Sequence, residues 1–126
     1  YGATAPTENL NPLEIERRAV GVDDVKIDIT HCGVCHTDIH TAKNDWKGTK
    51  YPVVPGHEII GHVTTVGANV TNYKVGDLVG VGCMVDSCET CASCEQDLQQ
   101  FCEKGATFTY NSPDPHIKGA QTYGGY

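Results

Sequence analysis

Four cysteines, Cys88, Cys91, Cys94 and Cys102, follow the spacing CxxCxxCx7C in a part of the chain that has no other means of folding. From Cys83 to Tyr126 regular hydrophobic periodicity disappears, and too few apolar residues surround the thiols to build a lobe without help. A metal would therefore stand in for a core, as in small zinc modules whose binding energy is folding energy. Four thiolates complete a tetrahedral set, which predicts a closed, structural zinc site in an irregular lobe over residues 86–104. Incidental thiols, two disulfides or an iron–sulfur cluster are the competing readings of such a set. The chain has seven cysteines, an odd number, and no visible export signal, so reduced thiols in the cytoplasm fit better than disulfides.

A second constellation lies earlier. His31 to His40 reads His-Cys-Gly-Val-Cys-His-Thr-Asp-Ile-His, and Gly56-His57-Glu58 follows it. A thiolate, an imidazole and a carboxylate are the ligand types of an open, catalytic zinc site.

Composition narrows the partners. The chain has 126 residues and a formal net charge of −7, with nine Lys and Arg against sixteen Asp and Glu. That balance argues against nucleic acid or an anionic membrane surface, and no apolar run approaches the ~18 residues of a membrane span. The length suits one domain with a modest core.

Along the chain, Tyr1 to Asn11 reads as a strand end and loop, and Leu13 to Arg18 alternates as a mostly polar edge strand. Val25, Ile27 and Ile29 alternate with Lys26, Asp28 and Thr30 as a half-buried strand that delivers the chain to Cys32 and Cys35. Thr37 to Lys43 has the spacing of a short helix, capped by Thr37 or Asp38 and closed by Asn44-Asp45. Two prolines make residues 52–56 an extended connector ending at His57. Ile59 to Val66 and Leu78 to Val81 read as strands, separated by turns at Gly67-Ala68-Asn69 and Val75-Gly76-Asp77. Short strands, Gly turns and little helix predict a mainly β fold, a partly open β-barrel with short helices.

On these residues the sequence resembles the zinc-dependent alcohol dehydrogenases of the medium-chain type, and most closely their cinnamyl-alcohol-dehydrogenase-like aldehyde reductases. The matching motifs are Gly33-Val34-Cys35-His36-Thr37-Asp38 with His40, Gly56-His57-Glu58 with Gly61, Val75-Gly76-Asp77 and the four-cysteine lobe. The resemblance implies a GroES-like catalytic domain over residues 1–126. It implies two Zn2+ per subunit, one structural and one catalytic, the latter held by Cys35 and His57, with Glu58 able to replace water. Asp38 would orient His57, Thr37 and His40 would pass protons to solvent, His36 would meet the cofactor pyrophosphate, and Trp46 would wall the pocket. It further implies a small-molecule alcohol or aldehyde substrate, NADP(H) ahead of NAD(H), and a homodimer in the full-length enzyme. Zinc acting as a Lewis acid would then make hydride transfer possible at neutral pH.

No GxGxxG follows a strand, because Gly80-Val81-Gly82 leads into Cys83 and the cysteine lobe. The expectation is therefore one domain of a longer enzyme, with the Rossmann domain and the third catalytic-zinc ligand outside these residues. Other readings compete. Cys32-Gly33-Val34-Cys35 is a CxxC and could belong to a thiol redox protein, but it lacks the βαβ context. A GroES-like barrel could serve as a scaffold, and a zinc hydrolase would need the HExxH that Glu58-Ile59-Ile60-Gly61 does not supply. A purely structural zinc module would leave Cys35, His57 and Thr37 without a role. Cys83 reads as a small buried hydrophobe.

Overall fold

In the computed structural model, which describes residues 1–7 and 9–126, the alternation from Val25 forms strand β1, Val25–Cys32. Strand β1 pairs antiparallel with β2, Ile59–Val66, and β2 pairs antiparallel with β3, Leu78–Val81, in the order β1-β2-β3. Strand β2 is the central member, and its period of two shows in burial: Ile59, Gly61 and Val63 point inward while Ile60 and His62 face out.

The register decides where the site lies. Cys32 pairs with Ile59, and the ladder continues past the strand end through Gly33 N–H donating to the Glu58 carbonyl at 2.9 Å. The segment carrying Cys35 thus leaves the sheet at the same end at which the segment carrying His57 and Glu58 enters it. Helix α1, His36–Lys43, then turns the chain away, and Asn44, at φ 59° in the left-handed region, closes it. Its cap is Cys35, not Thr37 or Asp38. Asp38 sits three residues inside, and its Oδ2 accepts the Cys35 N–H at 2.9 Å, so the helix begins two residues earlier than a hydroxyl cap would set it.

The connector with two prolines is the most deeply buried stretch: Val53, Val54 and Pro55 are among the largest fully buried side chains. Proline removes donors but leaves carbonyls, and these are all used. Val53 pairs with Ala3 in both directions, and the carbonyls of Val54, Pro55 and Gly56 accept from the N–H groups of Gly124, Tyr126 and Gly125 at 2.7, 3.2 and 3.0 Å. A Cβ on Gly124 would run into the carbonyl oxygens of Pro55 and Gly56, so only glycine lets the two segments meet. Ala3, Val53 and Tyr110 form a small core here, with Leu10 and Tyr51 packed against it.

The edge strand expected over Leu13–Arg18 is absent, since that segment has no strand conformation and no ladder partner among the described residues. Its Arg17 guanidinium instead donates to the carbonyls of Tyr123 and Gly124 at 3.1 and 2.7 Å. Alternation that is mostly polar gives a strand little to bury, and without a neighbour it does not form.

The cysteine lobe is irregular as expected, apart from two 3-10 turns, Cys94–Gln96 and Gln99–Phe101. Its base is closed by a pairing not foreseen from sequence, β4 (Met84–Asp86) against β5 (Thr107–Phe108). The described strands form one three-stranded and one two-stranded sheet and do not close into a barrel, in agreement with a mainly β, partly open architecture.

Candidate metal centres

At the end of β1 and β2, the Cys35 thiol, the His57 imidazole and the Glu58 carboxylate converge, their donor atoms all within 4.8 Å of one another. His57 is buried, Cys35 is half-buried and Glu58 is exposed, so the cluster opens to solvent on the Glu58 side. Glu58 lies over Gly33, where a Cβ would collide with Oε2, so the glycine leaves the carboxylate room to reach Cys35. One face of the His57 ring stacks on Tyr110, with centroids 5.6 Å apart and planes 14° from parallel.

Asp38 ties these pieces together. It is 2% exposed, its Oδ1 accepts the Gly56 N–H at 3.0 Å, and its Oδ2 accepts the Cys35 N–H at 2.9 Å. His57 Nδ1 stands 3.5 Å from Oδ1, an ion-pair distance longer than a hydrogen bond. With Nδ1 turned to the carboxylate, Nε2 is the nitrogen left for a metal. Burial alone would raise the Asp38 pKa. The donors that bond it, Cys35 N–H, the Tyr126 hydroxyl and Gly56 N–H, outweigh that and hold the carboxyl below the usual carboxylate range. Burial and the neighbouring Asp38 charge push the Tyr126 and Tyr110 hydroxyls upward, so both stay protonated. The Tyr110 hydroxyl is buried without a hydrogen bond of normal geometry.

The chemistry of this donor set fits zinc. A soft thiolate, a borderline imidazole and a hard carboxylate, with an open side, match a site that keeps a position for an exchangeable ligand.

The second cluster differs in being closed. Cys91, Cys94 and Cys102 are buried, Cys88 is half-buried, and the four sulfurs also lie within 4.8 Å of one another. Cys91 Sγ is 3.5 Å and Cys88 Sγ 4.0 Å from Cys94 Sγ, too far for a disulfide. Both bracket the ~3.8 Å that separates sulfurs on a tetrahedral ion with bonds of ~2.3 Å. Backbone N–H groups of Cys88 and Glu103 point at the sulfurs of Cys102 and Cys91, each at 3.4 Å, as donors do around thiolates. The N–H and hydroxyl of Thr90 draw the Cys88 thiol down to about 6. Four sulfurs this close repel one another once ionised, and a cation among them removes that cost, so the cluster too fits zinc.

The remaining predicted residues lie along α1, apart from Trp46, which follows its C-terminal end. Thr37 is half-buried on the turn before His40, and His36 is exposed, its ring centroid 6.4 Å from that of His40. His40 Nδ1 is 2.8 Å from Asp45 Oδ2, and its ring lies 4.9 Å from Trp46, which is 63% exposed and hence no core residue. Sequence reasoning left out Asp45, Tyr110 and Tyr126. Asp45 stood in view as a helix-closing residue, whereas the tyrosines are distant in sequence and carried no local signal.

Cys32, the other thiol of the CxxC, packs beneath Gly56 and Gly125, and burial raises its pKa. A thiol with a raised pKa carries less thiolate at neutral pH, which disfavours redox exchange. Cys83 is exposed, contrary to the expectation that it is buried, because it stands at the open edge before β4.

Residues 21–126 match the family described as "Alcohol dehydrogenase GroES-like domain". The chain is 56% identical over 126 residues to a probable mannitol dehydrogenase of Medicago sativa, covering 100% of itself and 34% of that protein. It is 53% identical over 125 residues to the aldehyde reductase YahK of Escherichia coli, covering 99% of itself and 35% of that protein. Among solved structures it superimposes with a TM-score of 0.93, at 44% identity, on the CAD of Helicobacter pylori complexed with NADP(H), over 99% of this chain and 36% of that one. The chain thus spans about a third of the length of the relatives it matches.

Proposed function

The chain belongs to the alcohol dehydrogenase GroES-like family, in its cinnamyl-alcohol-dehydrogenase-like branch, and from this we propose that residues 1–126 are the zinc-binding catalytic domain of a longer dehydrogenase. The enzyme interconverts primary alcohols and aldehydes by hydride transfer with a nicotinamide cofactor. The observation that carries the reading is the convergence of Cys35, His57 and Glu58 at one sheet end, with Asp38 behind His57.

In this reading a zinc ion bound there supplies Lewis acidity, polarising an aldehyde carbonyl or acidifying an alcohol. Cys35 and His57 bind it from the buried side. Glu58, exposed, would offer a carboxylate on the open side. Asp38 holds the tautomer of His57 and raises its basicity. The Thr37 hydroxyl and the His40 imidazole, one turn apart on α1, move the proton between the site and bulk water, and Asp45 orients the His40 ring at 2.8 Å. His36, exposed at the helix start, would meet a cofactor pyrophosphate, and Trp46 would wall the substrate pocket. The lobe thiols Cys88, Cys91, Cys94 and Cys102 hold a second, structural zinc, giving two per subunit. NADP(H) is the proposed cofactor, supported by the NADP(H) complex of the Helicobacter pylori relative. A cytoplasmic homodimer completes the proposal on family resemblance alone.

Metal analysis and an aldehyde-dependent NADPH oxidation assay on the complete enzyme test it. Two zincs per chain are expected, with turnover lost and one zinc retained in Cys35→Ala or His57→Ala. Full turnover in either variant would overturn the assignment. His40→Gln is expected to slow turnover roughly tenfold and to alter its pH profile with both zincs kept, since His40 passes protons without touching metal. An unaltered profile would return His40 to an ordinary surface histidine.

A further inference from the structure

We infer that Tyr126 is a positioning residue of the mixed metal centre: its hydroxyl fixes the Asp38 carboxylate and, through it, the His57 imidazole. This rests on the metal-centre reading above. The hydroxyl lies 2.8 Å from Asp38 Oδ2 and 2.9 Å from the Gly33 carbonyl, so one proton is shared between two acceptors, of which the carboxylate is the stronger. Gly33 precedes Cys35 by two residues, and Asp38 bonds the backbone of both Cys35 and Gly56.

The tyrosine is itself tied to the other side of the site. Its backbone N–H donates to the Pro55 carbonyl at 3.2 Å, and its ring packs so closely on Gly56 that a Cβ there would come within 2.8 Å of it. Gly56, at φ 102°, immediately precedes His57. Tyr126 therefore bridges the two segments that carry the ligands. The geometry of the carboxylate explains why the hydroxyl matters. Oδ1 accepts from Gly56 and faces His57, while Oδ2 accepts from Cys35 and Tyr126. Taking away the hydroxyl leaves Oδ2 with a single donor and lets the carboxylate turn about its Cβ–Cγ bond, which moves Oδ1 relative to His57 Nδ1. Partners behind a metal-binding histidine typically change metal affinity 10–100-fold when altered, and Tyr126 acts one step further out.

The experiment uses Tyr126→Phe in the complete enzyme, a change that keeps the ring on Gly56. Zinc at the mixed site is expected to bind about tenfold more weakly in chelator competition, with the zinc of the four-cysteine lobe unchanged. Cobalt exchanged into the mixed site is expected to show a shifted thiolate-to-cobalt absorption, which loss of general stability would not produce. Lower stability with wild-type zinc affinity and spectrum would overturn the inference and leave the metal centre standing. A wild-type enzyme holding zinc only in the lobe would overturn the metal-centre reading and this inference with it. Should Tyr126→Phe fail to fold, 4-aminophenylalanine at position 126, which keeps the ring and a donor at the same reach, is expected to restore both folding and mixed-site zinc; folding without that zinc would overturn the inference.

Discussion

Serine in place of any one of Cys88, Cys91, Cys94 or Cys102 is expected to release the zinc proposed for the lobe and unfold residues 86–104, with a loss of roughly 5 kcal/mol or more. The size follows from what else the lobe contains. Its buried cluster consists of Cys91, Cys94 and Cys102, and among the described residues the partly buried hydrophobics packed against it are Cys88 and Ala106. Its larger apolar side chains face solvent: Phe101 is 67% and Leu98 39% exposed. Structural zinc contributes on the order of 10–16 kcal/mol in small modules, and removing one of four thiolates opens the site to water. A domain stable by about 5–15 kcal/mol cannot absorb that loss without local unfolding. Zinc content by metal analysis and the melting temperature of the complete enzyme check it. A serine variant with full metal content and unchanged melting would show that the lobe folds by other means.

How much of this was legible beforehand depended on whether the cause was local. Strand β1 could be read because Val25, Ile27 and Ile29 alternate with polar residues, and β2 and β3 because their β-rich residues are separated by glycine turns. The two clusters of candidate ligands could be read because cysteine and histidine have few other reasons to gather. The connector was read as extended from its prolines, but nothing in Pro52-Val53-Val54-Pro55 announces that it is the most buried stretch. Its burial comes from Ala3 on one side and Gly124 to Tyr126 on the other, far away in sequence. Leu13–Arg18 failed for the same reason in reverse: its alternation is visible locally, whereas the missing neighbour is not. The helix start was displaced because Asp38 was weighed as a cap or as an orienting residue. It does both at once: one oxygen bonds the cap residue Cys35 while the other faces His57.

That double duty makes Asp38 the residue whose replacement should be felt furthest. In Asp38→Asn the amide can offer its oxygen either to Gly56 N–H or to the Cys35 N–H and Tyr126 hydroxyl, and its NH2 must face donors on the other side. Buried donors left unpaired cost about 1–3 kcal/mol each, so a deficit of about 3–5 kcal/mol is expected in urea unfolding at neutral pH. His57 also loses its carboxylate partner, and zinc at the mixed site should bind roughly 10–100-fold more weakly. The pH dependence separates charge from packing. Because the Asp38 pKa is lowered in the folded protein, its ionised form stabilises the fold at every pH above the unfolded value of about 3.9. That contribution disappears as the pH falls from the unfolded value through the folded one. The gap between wild type and Asp38→Asn should therefore hold steady down to about pH 5 and narrow below about pH 4, where the unfolded chain takes up a proton at Asp38 that the folded carboxylate still refuses. A gap that persisted unchanged into acid would mean that shape rather than the carboxylate charge holds Cys35, Gly56 and His57 in register.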